Sequence, residues 1–417
     1  MDICFITPEA FPFAKTGGLA DVAGALPKAL AEIGQKCTIF LPLYQGIKAR
    51  SINLSFDLEL GAYRETAQVY QVQNLINTYF IRNDSLFNRK GLYGTERGDY
   101  PDNLERFTFF TKATLEVMKR LALKFDIIHL HDWQAALVAA YLRAHPNNFY
   151  NKTVFTIHNL GYQGIFPKEK FRLLNLPQEY YSINGIEYYD KINLLKGGLI
   201  YSDFLTTVSP TYAQEIQTSE FGFGLDGILK ERCNNLKGIL NGIDTGIWNP
   251  KNDKLIYYNY LQPRDKKINK IQLKTELKLD ESNKPLIGLV SRLADQKGID
   301  LFCDAFKTII AQGFQIAILG IGEEKYHKLL QAMAKHYPAD VSLNLRFDEQ
   351  LAHRIYSGAD FFLMPSRYEP CGLGQMIALT YATVPVVRKT GGLADSVFEF
   401  NPNTNEGNGF IFEEYKA

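Results

Sequence analysis

Residues 291–298 carry two cations, Arg292 and Lys297, in a stretch that joins a predicted strand to a predicted helix. The planar guanidinium of Arg292 can donate to two phosphate oxygens, and Lys297 adds a compact positive charge. Gly298 is predicted to begin the helix, whose amino terminus adds positive potential. The stretch is suited to neutralise a phosphate or diphosphate leaving group. The alternative is that both side chains are solvated in a surface loop.

Residues 365–375 form a second candidate stretch, in which Glu369 lies between a predicted strand and a predicted helix. A carboxylate in this position can accept hydrogen bonds from sugar hydroxyls. The backbone N–H groups of Cys371, Gly372 and Leu373 can hold an anion. The alternative for Glu369 is a carboxylate that caps the helix.

Asp132 and His158 each follow a predicted strand. A single histidine is more often structural than catalytic, but the carboxyl end of a strand is where α/β proteins bind ligands. His129 and His131 precede Asp132 and could suggest a metal site. Strand alternation places both on one face, but the sequence offers no third ligand, and we predict no metal.

One heptapeptide occurs twice, at residues 15–21 and 389–395, and reads Lys-Thr-Gly-Gly-Leu-Ala-Asp in both places. Paired glycines such as Gly17 and Gly18 let backbone N–H groups approach a ligand and direct a helix amino terminus at it. The alternative is that both copies are tight helix-entry turns. The lysine before each pair, Lys15 in the first copy, favours ligand binding.

The elements that must position these residues alternate between strands and helices. This alternation predicts parallel sheets with helices on both faces. The predicted strands are residues 3–6, 37–41, 126–131, 154–157, 285–291, 315–319, 361–364 and 384–388. The predicted helices are residues 21–33, 134–143, 298–311, 323–336 and 374–381.

The pattern restarts late in the chain and predicts two Rossmann-like, doubly wound domains. Residues 1–245 form the first, residues 246–284 a polar linker that contains a helix, and residues 285–417 the second. Ligand is expected between the domains, at the carboxyl ends of the strands.

Composition narrows the class of protein. The 417 residues carry a formal net charge of +1, which gives no reason to expect nucleic acid or an acidic membrane as partner. The cysteine count, 5, is odd and lacks paired spacing, which favours reduced thiols in a cytoplasmic protein. Cys4 and Cys37 are expected in the core. We identify neither a signal peptide nor a membrane span.

Six motifs occur in order along nearly the whole chain. They are Lys15-Thr16-Gly17-Gly18-Leu19, His131-Asp132-Trp133, Thr156-Ile157-His158-Asn159, Asn241-Gly242-Ile243-Asp244, residues 291–298 and Glu369-Pro370-Cys371-Gly372-Leu373. Arg292 and Lys297 with a distant Glu369 would alone indicate only the broader GT-B glycosyltransferases. The six motifs together resemble those of bacterial glycogen synthases and plant starch synthases, and they have the order found in that family.

The resemblance implies a GT-B fold and transfer of glucose from ADP-glucose to an α-1,4-glucan, with retention of configuration and without metal or pyridoxal phosphate. It implies that Arg292 and Lys297 neutralise the leaving diphosphate and that Glu369 holds glucose hydroxyls.

The resemblance further implies roles for residues on the first domain and near its end. Lys15 and the Gly17-Gly18 pair contact the donor, and His158 lies beside the reacting sugar. The remaining implied contacts are Asp132 and Asn241 lining the same cleft, and Tyr93 on the acceptor side.

Two features depart from the family pattern. Gly374 replaces a common Thr or Asn, and Phe347 stands where many members have Tyr. Phe347 can still stack on a nucleobase but lacks the hydroxyl of tyrosine. The preference for adenine or uracil as the base of the donor nucleotide therefore stays open. Family members continue beyond the position of Ala417, so we expect an incomplete second domain with one sheet face less covered.

Two other functions remain open from the sequence. One is a different GT-B enzyme, such as a UDP-sugar transferase or an α-glucan phosphorylase, although we recognise no pyridoxal phosphate lysine motif. The other is a glucan-binding protein without activity. The intact Lys15, His158, Arg292, Lys297 and Glu369 argue against this second reading.

Overall fold

The computed structural model describes residues 1–95, 98–145 and 152–417. They form two compact units, the first comprising Met1–Val208 with Ala213–Ile239 and the second Ser209–Tyr212 with Leu240–Ala417. These boundaries differ from the predicted ones, since residues 246–284, predicted as a linker, belong to the second unit. Trp248, Tyr260 and Leu273 are buried there. Burial of such large apolar side chains fixes a segment that its polar composition made look like a linker.

The first unit is built on a sheet with the strand order β14-β13-β9-β8-β1-β2-β5-β4-β3. The strands run parallel except for β4, which pairs antiparallel with both β3 and β5. Their bounds, with those of two small sheets, are β1 Asp2–Ile6, β2 Lys36–Pro42, β3 Arg50–Leu60, β4 Tyr63–Gln73, β5 Asn77–Arg82, β6 Gly94–Thr95, β7 Gly98–Asp99, β8 Ile127–His131, β9 Lys152–Ile157, β10 Ile165–Pro167, β11 Glu187–Tyr188, β12 Lys191–Asn193, β13 Phe204–Thr207 and β14 Leu236–Gly238.

Helices cover this sheet and join its strands. The α-helices are α1 Gly18–Glu32, α2 Asp84–Phe87, α3 Asn103–Arg120, α4 Asp132–Ala135, α5 Leu137–Ala144, α6 Leu194–Tyr201, α7 Pro210–Glu215 (which crosses the division between the units) and α8 Asp226–Glu231. Short 3₁₀ helices are Lys168–Leu174, Gln178–Tyr180 and Cys233–Asn235.

The second unit contains an all-parallel sheet with the order β17-β16-β15-β18-β19-β20. Its strands are β15 Leu286–Val290, β16 Gln315–Leu319, β17 Val341–Asn344, β18 Phe361–Met364, β19 Val384–Arg388 and β20 Phe410–Phe412. Its helices are α9 Lys267–Glu276, α10 Ile299–Ala311, α11 Glu324–His336, α12 Glu349–Gly358, α13 Gly374–Thr380 and α14 Gly391–Ser396, with 3₁₀ helices Pro263–Lys266 and Asp295–Lys297.

Both sheets are doubly wound, as predicted. Strand order reverses beside β1 in the first sheet and between β15 and β18 in the second. Loops after the strands at such a reversal diverge to opposite faces and leave room for a ligand. The candidate residues follow β1, β8 and β9 in the first unit and β15 and β18 in the second.

Most predicted elements are confirmed, with two corrections. The first helix begins at Gly18 rather than near position 21, because Gly17 is already the extended residue before it. The predicted helix 134–143 is two helices, of which the earlier begins at Asp132.

The side chains of Cys4 and Cys37 are buried in the core, as predicted. Near the end of the chain, the side chains of Phe398, Phe400 and Phe410 are each more than a third exposed. Within the described residues, no helix is long and apolar enough to cross a membrane.

Candidate active site

Glu9, in the loop after β1, organises the glycine loop of the first unit. Its buried carboxylate accepts hydrogen bonds from Thr16 Oγ1 at 2.5 Å, Tyr93 OH at 2.6 Å and Gly17 N at 3.3 Å, and also from Thr16 N. Burial raises its pKa, and these hydrogen bonds oppose the rise. One carboxylate therefore joins two predicted site segments, the Lys15–Gly17 loop and Tyr93.

The first copy of the heptapeptide leads into α1. Lys15 Nζ lies 2.6 Å from Asp21 Oδ1 within that copy. Gly17 has an extended backbone (φ −160°), and a Cβ atom placed on it would meet no heavy atom within 4 Å. The fold therefore does not itself require glycine at Gly17. A glycine without a structural reason, next to the amino terminus of a helix, fits close approach of a ligand to the backbone.

Asp132 and His158 are brought together although they follow different strands. Asp132 Oδ1 accepts a hydrogen bond from His158 N at 2.7 Å, and the carboxylate also accepts from Asn159 N. Burial raises the pKa of Asp132 to about 7, and the negative charge of Glu9 adds to the rise. Asp132 has φ 55°, a left-handed conformation that costs a non-glycine residue energy and is common at functional sites.

The imidazole rings of His129, His131 and His158 lie next to one another in a row. His131 Nδ1 lies 2.9 Å from His158 Nε2, and His129 Nε2 lies 2.6 Å from Thr156 Oγ1. Burial lowers the pKa of His158 to about 3 and that of His129 to about 4, and also lowers that of His131. His158 is therefore a neutral hydrogen-bonding group near pH 7. Among the described residues, no group of three or more His, Cys, Asp or Glu is arranged to hold a metal ion.

In the second unit, the loops after β15 and β18 meet through Lys297 and Glu369. Lys297 Nζ lies 2.6 Å from Glu369 Oε2, which also accepts from Ser366 Oγ at 3.0 Å. The close approach of the two loops depends on Gly298. A Cβ atom on this residue would lie 1.9 Å from Pro365 O, and its φ of +68° also favours glycine. Gly298 precedes α10, which begins at the next residue.

The other predicted residues of this unit lie around these two loops. Arg292 Nη2 donates to Gln296 Oε1 at 3.1 Å, a contact within the same loop that carries Lys297. Asn241 hydrogen-bonds the buried Cys371 thiol, and burial raises the pKa of that thiol to about 12. Cys371 is therefore a protonated structural thiol, and its backbone is what can meet a ligand.

The turn at Gly372 and Leu373 leads into α13. Gly372 has φ +69°, which favours glycine. Gln375 Nε2 donates to the carbonyls of Cys371 and Gly372, at 3.0 and 2.9 Å. With these carbonyls bound from inside the fold, the peptide planes of the turn are held in place.

The second copy of the heptapeptide has a different role from the first. Its lysine, Lys389, pairs with Glu413 at the surface. Gly391 has φ +45°, and a Cβ on it would lie 1.9 Å from Glu369 O; one on Gly392 would lie 2.2 Å from Cys371 O. These glycines let α14 pack against the backbone of the Glu369 loop, so the second copy supports the site loop.

Phe347 lies apart from these contacts. It is 71% exposed, between β17 and α12. Its ring is therefore accessible for stacking but is not packed by the fold.

Sequence reasoning missed Glu9 and the contact of His131 with His158. Glu9 comes soon after β1, at the carboxyl edge of the sheet where Asp132 and His158 also follow their strands, and this position was the available signal. His131 was considered as a metal ligand and as part of the His131-Asp132-Trp133 motif, but not as a partner of His158.

Comparison with known proteins identifies the family. Residues 2–231 match the starch synthase catalytic domain, and residues 272–417 match the group 1 glycosyl transferases. The chain is 45% identical to the glycogen synthase of Pseudothermotoga lettingae and 46% identical to that of Geotalea uraniireducens, in each case across 100% of this chain and 88% of the relative. The chain belongs to the glycogen and starch synthase family. It is therefore a glycosyltransferase of glycogen or starch synthesis.

Solved structures place this family member in the GT-B fold class. The catalytic domain of starch synthase IV from Arabidopsis thaliana, bound to ADP and acarbose, superposes with a TM-score of 0.92 at 34% identity, over 99% of this chain and 88% of that one. Sucrose-phosphate synthase from Thermosynechococcus elongatus, at 18% identity and a TM-score of 0.59, shares the fold. The predicted fold class and family are confirmed, whereas the individual site residues stay predictions.

Proposed function

We propose that this family member transfers glucose from ADP-glucose to the non-reducing end of an α-1,4-glucan with retention of configuration. The observation that carries the proposal is the contact of Lys297 with Glu369, which joins the loops after β15 and β18, with Arg292 in the same loop as Lys297. Such a group suits a substrate that combines a diphosphate with sugar hydroxyls.

In the second unit, Arg292 and Lys297 would neutralise the leaving diphosphate, and Glu369 would accept hydrogen bonds from glucose hydroxyls. Lys297 is an ammonium with three donors, so its pair with Glu369 leaves capacity for phosphate oxygens. The turn at Cys371, Gly372 and Leu373 would present N–H groups to the phosphates, with Asn241 holding Cys371.

In the first unit, Lys15 and the backbone at Gly17 and Gly18 would contact the donor. The neutral imidazole of His158 would donate or accept a hydrogen bond beside the reacting sugar. It would not act as a general acid near pH 7, because its pKa is far below that pH. Two further residues would line the binding surface, namely Asp132 beside His158 and Tyr93 on the acceptor side.

The transfer would occur on one face of the sugar. The bond between glucose C1 and the phosphate oxygen breaks, and its electron pair leaves with the diphosphate. The acceptor 4-hydroxyl oxygen bonds to C1 on the same face and passes its proton to the departing phosphate oxygen. Because Arg292 and Lys297 supply the positive charge, we propose that neither a metal ion nor pyridoxal phosphate takes part.

The choice of ADP-glucose is supported by the ADP in the Arabidopsis starch synthase structure. The exposed ring of Phe347 can stack on adenine or uracil, so this residue does not itself select the base. The cytoplasmic location predicted from the sequence stays a prediction.

The test is incorporation of labelled glucose into glycogen, with ADP-glucose and UDP-glucose in parallel and with EDTA present. Glu369→Ala serves as the inactive control. Faster transfer from ADP-glucose in the presence of EDTA is the expected result. Faster transfer from UDP-glucose would overturn the proposal that ADP-glucose is the donor. Dependence of transfer on a metal ion would overturn the proposal that Arg292 and Lys297 alone neutralise the diphosphate. A folded protein that binds glycogen but transfers from neither nucleotide would be a binding protein instead.

A further inference from the structure

His131 and His158 form a direct contact between two buried imidazoles in the first unit. His131 Nδ1 and His158 Nε2 are 2.9 Å apart, and the side chains are 0% and 8% exposed. Phe5 stacks against the His131 ring at a centroid distance of 5.7 Å and an interplanar angle of 14°. The His131 ring is therefore fixed in its plane by packing and in its direction by the contact.

The contact accommodates one proton. Burial keeps the pKa of both rings well below the ordinary histidine value, so each imidazole is neutral near pH 7 and carries a single N–H. A hydrogen bond between the two nitrogens requires one N–H and one lone pair. Either His131 donates to His158 or the reverse, and the choice fixes the tautomer of both rings.

The other nitrogen of His131 decides between these arrangements. His131 Nε2 is buried and has no hydrogen-bond partner among the described residues. If His158 donated, His131 would carry its proton on Nε2, and a buried N–H would lack an acceptor. Buried N–H groups without an acceptor are rarer in folded proteins than acceptors without a donor. The geometry therefore favours the proton on His131 Nδ1, pointing at His158.

We propose that His131 is a positioning residue that fixes His158 as an Nδ1–H donor, so that this proton is available to an oxygen of the transferred sugar. The inference rests on the proposed glucosyl transfer, in which His158 lies beside the reacting glucose. His158 Nε2 accepts from His131, and the single proton of the His158 ring is then on Nδ1. An imidazole held in one tautomer meets the substrate without having to reorient, which is the advantage of a preorganised site.

Substitutions at His131 test the direction of the contact. In His131→Asn the amide nitrogen takes approximately the position of Nδ1 and can donate to His158, whereas in His131→Gln it takes approximately that of Nε2 and cannot. We expect the Gln variant to lose about tenfold or more in kcat relative to the Asn variant. His145→Gln, an exposed histidine of the same unit, is the control. Equal loss in the Asn and Gln variants, both folded, would overturn the proposal.

A spectroscopic measurement separates this inference from the proposed function. ¹⁵N NMR of histidine-labelled protein distinguishes protonated from unprotonated ring nitrogens, with assignment by single His131 and His158 variants. We expect protonated Nδ1 and unprotonated Nε2 on both residues, unchanged between pH 6 and 8. Protonated Nε2 on His158 would overturn the inference even in an active enzyme. Conversely, failure of glucosyl transfer with the expected tautomers would overturn the proposed function alone.

Discussion

Lys297 Nζ lies 2.6 Å from Glu369 Oε2, and the two side chains are 18% and 6% exposed. Each neutralises the other in a partly buried place, where an unpaired charge would be costly. The cation proposed to meet the diphosphate and the carboxylate proposed to meet the sugar are therefore in direct contact with each other. A nucleotide sugar would have its two kinds of polar group recognised at this one pair.

Removing the ammonium should slow the chemical step. We expect Lys297→Ala to lower kcat by roughly 10² to 10³, the loss typical of one preorganised transition-state donor. Lys328→Ala, which removes an exposed lysine paired with Glu324 on α11, is the matched control. Steady-state kinetics with circular dichroism as a folding check measures this. A loss of less than about fivefold would exclude the role given to Lys297.

The two copies of the heptapeptide offer a matched pair of substitutions. Gly391→Ala forces a Cβ against Glu369 O at a left-handed φ, and we expect a loss of about 1–3 kcal/mol in unfolding free energy. Gly17→Ala meets open space at an extended φ, so its stability should stay within about 0.5 kcal/mol while kcat/KM for the nucleotide sugar falls. Urea unfolding and kinetics distinguish them. Equal effects on stability would contradict the different roles of the copies.

The hydrogen bond from Tyr93 to Glu9 should couple the loop that carries Tyr93 to the glycine loop. We expect Tyr93→Phe and Glu9→Gln to be non-additive, with a coupling energy of about 0.5–3 kcal/mol, because Tyr93→Phe removes the donor of the 2.6 Å contact and Glu9→Gln replaces its charged acceptor with a neutral amide. A double-mutant cycle on unfolding free energy measures the coupling. Tyr63→Phe, an exposed tyrosine of the same unit, should show additive behaviour with Glu9→Gln. If the effects of Tyr93→Phe and Glu9→Gln on unfolding free energy were additive, the hydrogen bond between these residues would contribute nothing to stability.

Asp132 should make stability depend on pH. Its pKa is raised to about 7 in the folded protein, so between about pH 4 and pH 7 the folded state binds more protons than the unfolded state. The contribution of Asp132 to the unfolding free energy is therefore fully present below about pH 4. It is lost as the pH rises to about 7, by at most about 1.4 kcal/mol per pH unit.

Asp132→Asn removes this titration while keeping an acceptor for His158 N. We expect the wild type to lose more unfolding free energy between pH 5 and pH 8 than the variant does, as measured by urea unfolding at both pH values. Glu116→Gln, on α3 and paired in an exposed salt bridge, is the control. An identical pH dependence of the Asp132→Asn variant and the wild type would show that Asp132 is not perturbed by burial.

The sequence by itself determined the strands and helices that flank the candidate residues, the presence of two doubly wound sheets and the loops that carry Lys15, His158, Arg292, Lys297 and Glu369. These features are local, because a short apolar run followed by a glycine or charged residue indicates a strand end whatever the rest of the chain does. Parallel strands then place such ends at one edge of a sheet.

Tertiary structure decided which side chains meet. The pairing of β8 with β9 places His131 opposite Thr156, and this register brings His158 within reach of His131. Glu9 acquires its partners Thr16 and Tyr93 only when the segments that carry them come next to the loop after β1. Hydrogen-bond partners far apart in sequence depend on strand register and packing, which no local pattern specifies.

The same reason separates the two identical heptapeptides and corrects the predicted linker. Gly17 faces open space, whereas Gly391 packs against the backbone of Glu369. The role of a glycine therefore depends on its neighbours in the fold and not on the heptapeptide sequence that both copies share. The segment 246–284 is polar in composition, yet Trp248 and Tyr260 bury against the second unit. Composition reports average polarity, whereas a few well-placed aromatic rings determine where a segment packs.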